Sequence, residues 1–102
     1  MESNRKEIKR IYGKLFAEIS NALFQADPIG INFGDNIDEY DPEAGTIIPR
    51  LKTANSAQDV HVIVCDEFKT WFGNDNAGGT EQYQAVSSKI WELWCEFGRH
   101  QA

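Results

Sequence analysis

The apolar side chains of this 102-residue chain recur with a 3.6-residue period, and this pattern limits the possible folds more than any other feature. Between residues 4 and 26 these positions share one helical face: Ile8, Ile11, Tyr12, Leu15, Phe16, Ile19, Ala22 and Leu23. The opposite face carries the cations Arg5, Lys6, Lys9, Arg10 and Lys14. Pro28 ends the segment, because proline disfavours helical backbone at Asp27 and has no N–H to donate. The pattern predicts an amphipathic helix over 4–26.

Two further segments carry the signals of helix starts. Asp41-Pro42-Glu43 supplies a predicted N-cap, a proline at the first helical position and an acid in the first turn, which predicts a helix over 42–53. Pro49 is expected to kink or end that helix. Thr80 is predicted to cap a last helix over 80–99, whose apolar stripe comprises Tyr83, Val86, Ile90, Leu93, Trp94 and Phe97.

Residues 56–73 are compatible with two structures. The β-branched run at 60–64 suits a strand. Against that, Ser56 and Asp59 resemble a capping box, and the apolar positions that follow continue a helical stripe. Gly73 fits a helix C-cap, and the segment is long for a strand. We expect a helix here, with the strand as the alternative.

Together these segments predict an all-α fold: a single domain spanning 1–102 with about four helices, at 4–26, 42–53, 56–73 and 80–99. The chain is 41% apolar and 25% charged, which is typical of a globular domain. Four large aromatics lie on the stripes and are predicted to be core: Trp71, Phe72, Trp91 and Trp94. In the loop over 27–41, Ile29, Ile31 and Phe33 are expected to be partly buried and to pin it to the core.

The negative charge of the chain is concentrated in one region. The net charge is −6, yet residues 15–49 contain no Lys or Arg and seven acids. Five of these acids fall within residues 35–43, which we call the acidic segment: Asp35, Asp38, Glu39, Asp41 and Glu43, arranged around Tyr40. The segment is either a solvated loop or a docking surface for a basic partner, with Tyr40 as an aromatic anchor. An acidic balance argues against binding nucleic acid.

Metal and catalytic motifs are weak or missing in the sequence. An EF-hand loop starting at Asp35 fails at its second ligand position, where Ile37 stands. His61 with Cys65 and Cys95 with His100 lack zinc-finger spacing. No nucleophile elbow, phosphate-binding loop or metalloprotease motif is present. The sequence therefore predicts no enzyme activity, no cofactor and no metal, with a small enzyme or metal-binding protein as a minor alternative.

The sequence also bears on cellular location. No run of residues approaches the length of a membrane span, and the N-terminus has no apolar signal region. Two cysteines thirty positions apart make a poor disulfide framework and suit a reducing compartment. We expect a cytoplasmic protein that does not contact a membrane.

Residues 27–51 resemble a group of small bacterial all-helical proteins. The resemblance rests on Asp27-Pro28-Ile29-Gly30 and on the run from Asn36 to Asp41, followed by Glu43, Ile47-Ile48 and Leu51. Similar small acidic proteins serve as immunity partners that bind and block secreted or contact-delivered toxins. The resemblance implies a compact helical domain without catalytic activity. Residues 53–102 carry no such resemblance.

Two functional hypotheses follow from these observations. In the first, the chain is an immunity protein that neutralises a cationic bacterial toxin, such as a nuclease, through the acidic segment. In the second, it is a helical regulatory or adaptor protein that binds a non-toxin partner. The interface then lies either on the acidic segment or on the Trp-bearing C-terminal half.

Overall fold

The all-α prediction is confirmed. In a computed structural model, which describes residues 2–26, 40–77 and 79–101, the described chain forms four α-helices, two short 3₁₀-helices and no strand. The α-helices are α1 (Glu2–Ala26), α2 (Asp41–Ile47), α3 (Ala57–Ala77) and α4 (Gln84–Gln101). One 3₁₀-helix (Ile48–Thr53) continues α2, and the other (Thr80–Tyr83) leads into α4. The Cα radius of gyration is 12.7 Å, close to the ~13 Å of a compact domain of this length.

Helix α1 packs against both α2 and α4, and α3 packs against α2 and α4. The ring of Tyr12 lies 6.4 Å from that of Trp94 and 5.5 Å from that of Phe97, so the N-terminal half of α1 meets the C-terminal half of α4. Phe68 of α3 lies at the other side of the core, with its ring 5.9 Å from Tyr40 and 5.0 Å from Tyr83. Buried apolar side chains from all four α-helices form one core.

The ambiguous segment 56–73 is helical, as expected. The Ser56 hydroxyl accepts a hydrogen bond from the N–H of Asp59 at 3.2 Å, and the Asp59 carboxylate accepts one from the N–H of Asn55 at 2.9 Å. In a standard capping box the carboxylate accepts from the N–H of the cap residue, Ser56. Here it accepts from the N–H of the preceding residue, Asn55. Val60, Ile63 and Val64 are buried, which a helix achieves by placing them on its core-facing side.

Two glycines interrupt the long helices. Gly73 has φ +82°, so the regular part of α3 ends there, and a short helical segment then continues to Ala77. This confirms the expected cap, because glycine adopts positive φ without the Cβ clash of other residues. Gly13 has φ +32° and breaks α1 between its two halves, which the periodicity of the stripe did not reveal.

The short elements test three local predictions. Pro49 behaves as expected, since the α-helical geometry of α2 ends at Ile47 and the chain continues as a 3₁₀-helix. The prediction that Asp41 caps α2 is wrong: Tyr40 occupies the cap position, and Asp41 is the first helical residue. Thr80 is likewise not a cap, because it is the first residue of the 3₁₀-helix, preceded by Gly79.

Candidate functional site

The candidate site is the acidic segment and its attachment to the fold. Asp35, Asp38 and Glu39 lie outside the described residues. So do Ile29, Ile31 and Phe33 of the preceding loop. The structure therefore bears on the C-terminal part of the segment, from Tyr40 to Glu43, and on the α1 side chains that hold it.

Tyr40 is a core residue and not an exposed anchor. Its side chain is 0% exposed, its ring packs on Phe68, and its carbonyl accepts a 3.0 Å hydrogen bond from the N–H of Ala44. Burial of the ring among apolar neighbours fixes the chain at the start of α2. The prediction that Tyr40 is an aromatic anchor exposed on a docking surface is therefore wrong.

Glu43 is also buried, at 3% exposure, on the inner side of α2. The helical periodicity of α2 explains this burial. Glu43 lies next to Ala44 and one turn before Ile47, and both of these residues face the core. The backbone carbonyl of Glu43 accepts a hydrogen bond from the Thr46 hydroxyl at 3.1 Å. The carboxylate of Glu43 is consequently not part of a solvent-facing acidic surface.

Asp41 links α2 to α1. One carboxylate oxygen accepts a hydrogen bond from the Ser20 hydroxyl, and the other lies 3.1 Å from the ammonium of Lys9. The Lys9 ammonium also lies 5.2 Å from the centroid of the Phe16 ring, in cation–π geometry. Only 17% of the Asp41 side chain is exposed. These residues line a cleft of about 330 Å³ beside the Gly13 break.

The Ser20–Asp41–Lys9 group could be mistaken for a catalytic arrangement. However, Ser20 is 4% exposed and donates its hydroxyl proton to Asp41, so its oxygen has little access to a substrate. The ammonium of Lys9 stabilises the charge of the carboxylate instead of accepting a proton. The arrangement is suited to holding the start of α2 against α1.

Neither cysteine in the described chain forms a disulfide. Burial raises the pKa of the Cys65 thiol, so it stays protonated and unreactive near neutral pH. His61, four residues earlier, places Nε2 2.7 Å from the carbonyl oxygen of Thr80. Within the described residues no three His, Cys, Asp or Glu side chains are grouped to hold a metal ion.

A second surface feature was missed by the sequence reasoning. Trp71 is 45% exposed although its position on the stripe predicted a core residue. Its indole N–H donates a 3.0 Å hydrogen bond to the hydroxyl oxygen of Thr46 on α2, so the ring is held in one orientation. The signal in the sequence was its position close to Gly73, at the end of the helix, where a stripe extends past the core.

Arg50 lies on the same side of the molecule, in the 3₁₀-helix after α2. Its guanidinium is 2.7 Å from a carboxylate oxygen of Glu67 and 2.9 Å from one of Asp66, which joins this helix to α3. The hydrogen bonds to Glu67 and then Asp66 raise the pKa of Arg50 above its ordinary value. Glu67 lies one helical turn before Trp71, so the ion pair and the exposed indole occupy adjacent positions.

The chain matches no family model, no curated protein and no solved structure. The resemblance of residues 27–51 to immunity-type proteins therefore stays a prediction. Among the described helices, none combines the length and apolarity needed to cross a bilayer.

Proposed function

We propose that this protein acts by binding a basic protein partner and blocking it, as an immunity protein does for a cationic toxin. The observation that carries the proposal is the charge distribution: seven acids and no Lys or Arg over residues 15–49. A nuclease presents a positive cleft to its polyanionic substrate, and clustered carboxylates can occupy the same cleft.

The way the acidic segment joins the fold supports this proposal. Tyr40 is fully buried and Asp41 is bonded to two α1 side chains, so the chain is fixed immediately after Glu39. Chain length alone keeps the Cα atoms of Asp38 and Glu39 within about 7 Å of that of Tyr40. Charges tethered to a fixed point lose less freedom on binding than charges on a free tail. Because Tyr40 and Glu43 are buried, the docking role falls to Asp35, Asp38 and Glu39.

A growth assay tests this function directly. A toxin domain encoded directly upstream of the gene would support the proposal, and the toxicity of such a domain is measured with and without this protein in the same cell. We expect the wild type to protect the cell and Asp38→Asn/Glu39→Gln to protect it less. Glu81→Lys is the matched control, because it makes the same change of two charges at an exposed site in the second 3₁₀-helix. Isolation of the gene in a housekeeping operon, or no protection by the wild type, would contradict the proposed function. Equal protection by all variants would contradict the docking role of the acidic segment.

The exposure of Trp71 favours a second candidate, a helical adaptor that binds a non-toxin partner through the C-terminal half. Trp and Arg are the residues most enriched in binding hot spots, and a ring already held by Thr46 loses little freedom when covered. Trp71→Ala separates the two candidates. Loss of partner binding on that change, with Asp38→Asn/Glu39→Gln unaffected, selects the adaptor.

A further inference from the structure

A groove runs along the seam between α1 and α4 and is lined by residues of these two helices. It consists of two adjoining clefts of about 540 and 390 Å³, which share Glu18 and Leu93. Its floor is apolar, since Tyr12, Leu15, Val86 and Leu93 contribute side chains that are almost fully buried. The groove spans α1 residues 10–26, which corresponds to about 24 Å at the rise of a regular helix.

An exposed apolar side chain and half-buried aromatics accompany this groove. Ile11 is 54% exposed and lines the smaller of the two clefts, and Phe97 lines the same cleft from α4. Trp91, Trp94 and Phe97 pack on the core but are only partly buried. A helix pair that leaves such side chains partly exposed has apolar area to cover by association.

The charged residues of the two walls are arranged at matching levels. Tyr12 of α1 contacts Trp94 of α4, so these two residues mark one level of an antiparallel pair. Arg10 and Lys14, which line the groove, lie two residues to either side of Tyr12, and Arg10 also forms an ion pair with Glu7. Glu92 and Glu96 lie two residues to either side of Trp94, and of these two Glu96 lines the groove. All four side chains are exposed. The α1 wall is therefore basic where the α4 wall is acidic.

A second level shows the opposite arrangement. Glu18 of α1 and Lys89 of α4 line the same cleft, about two turns from the first level. Here the α1 wall is acidic and the α4 wall is basic. The three charged α1 residues that line the groove, Arg10, Lys14 and Glu18, thus each have an opposite charge at about the same level on α4.

We propose that this face binds a second copy of the chain, forming a four-helix bundle with a two-fold axis parallel to α1 and α4. Rotation about such an axis places α1 of one copy over α4 of the other at the level they share within one copy. Arg10 and Lys14 then face Glu92 and Glu96 of the second copy. Glu18 faces Lys89 of the second copy, and every pair occurs twice.

Self-complementarity is what makes the second copy the fitting occupant. A two-fold interface uses the same patch on both partners, so its charges must complement themselves after the rotation. Both charged levels of the α1–α4 face meet this condition. A helix of an unrelated protein would have no reason to find both levels matched in the register of this chain.

Sedimentation equilibrium of the full chain tests the proposal first. At low salt we expect a monomer–dimer equilibrium, in which the dimer fraction rises across an about hundredfold range of protein concentration. We also expect weaker dimerisation at high salt, because screening reduces attraction between exposed charges. A monomer at every concentration at low salt, or open-ended polymers, would overturn the proposal.

Charge reversal supplies the sharper test. Arg10→Glu/Lys14→Glu and Glu92→Lys/Glu96→Lys should each weaken self-association by at least about tenfold, since like charges then face each other. An equimolar mixture of the two variants should associate again, because the acidic α1 wall of the first variant then meets the basic α4 wall of the second, and the basic α1 wall of the second meets the acidic α4 wall of the first. Lys52→Glu/Lys69→Glu, at exposed sites elsewhere, should leave the dimer unchanged.

Circular dichroism of each variant keeps this test interpretable, because all the altered side chains are exposed and the helix content should not change. A mixture that associates no better than either variant alone overturns the proposal. A control pair that weakens the dimer as much as the wall variants do overturns it as well. The wild-type salt and concentration series stands independently of whether any variant folds.

Discussion

At the scale of single residues, the acidic segment divides into buried and tethered parts. Asp41 was expected to cap α2 and to present a charge to a partner. Instead its carboxylate is bonded to Ser20 and Lys9, and 17% of the side chain is exposed. The sequence shows that Asp41 precedes Pro42. It does not show that Ser20, twenty-one positions before Asp41, lies beside the Asp41 carboxylate. Long-range polar pairs of this kind are the part of a site that periodicity does not predict.

The Asp41 contacts predict a measurable stability. Asp41→Ala should lower the free energy of unfolding by about 1–3 kcal/mol, because the Ser20 hydroxyl and the Lys9 ammonium lose a partly buried charged acceptor. A double-mutant cycle with Ser20→Ala should give a coupling of about 1 kcal/mol. The control is Asp66→Ala, since that side chain is 61% exposed and its surface pair should contribute about 0.5 kcal/mol or less. Equal losses for Asp41 and Asp66 would contradict the tether.

Cys65 predicts a pH dependence. Burial raises the pKa of its thiol above 9.0, so above that pH the unfolded chain loses this proton more readily than the folded chain. The free energy of unfolding should be unaffected by this group below pH 9.0 and should fall as pH rises through the folded pKa. Between pH 9.0 and 10.0, below the ordinary Tyr83 value, Cys65→Ala should reduce the slope of this fall. An unchanged slope in urea titrations across that interval would show that the Cys65 thiol is not the cause.

At the scale of elements, the sequence predicted the helices but only some of their interruptions. The stripes and the Ser56–Asp59 signal predicted α3 correctly, even though its β-branched run suits a strand, because the side chains it buries recur at helical spacing. Pro49 was predicted to end α2 from its missing N–H. The break at Gly13 was not predicted, since apolar positions on both sides of it keep the same face.

The two glycines Gly73 and Gly98 make a matched pair of tests. A Cβ at either position would meet no atom within 4 Å, so any difference between them reflects the backbone. Gly73→Ala should cost about 1–2 kcal/mol, because φ is +82° there and alanine disfavours it. Gly98→Ala, within α4, should instead stabilise the protein by up to about 1 kcal/mol through helix propensity. Thermal unfolding that shows Gly73→Ala to be neutral would contradict the cap.

At the scale of the whole molecule, basic and acidic residues are concentrated in different parts of the chain. The helices that carry them pack on one shared core. The first fourteen residues carry half of the ten basic residues. They place exposed cations along the N-terminal half of α1, while the acids Asp35, Asp38 and Glu39 come just before the buried Tyr40 in the sequence. Composition predicted the net charge, but only the packing of α1 on α2 shows that a basic side chain, Lys9, reaches the edge of the acidic segment.

In the proposed function, Asp35, Asp38 and Glu39 steer a basic partner onto this protein. The test is the association rate constant with a basic partner domain, such as a toxin domain found encoded beside the gene, taken against ionic strength for three proteins. For the wild type and for Glu81→Lys we expect fast association that slows with added salt. For Asp38→Asn/Glu39→Gln we expect slower association with a shallower salt dependence, and binding weaker by about 2–5 kcal/mol if those charges are desolvated. If all three proteins associate at the same rate with the same salt dependence, the acidic segment does not form the interface and the account is wrong.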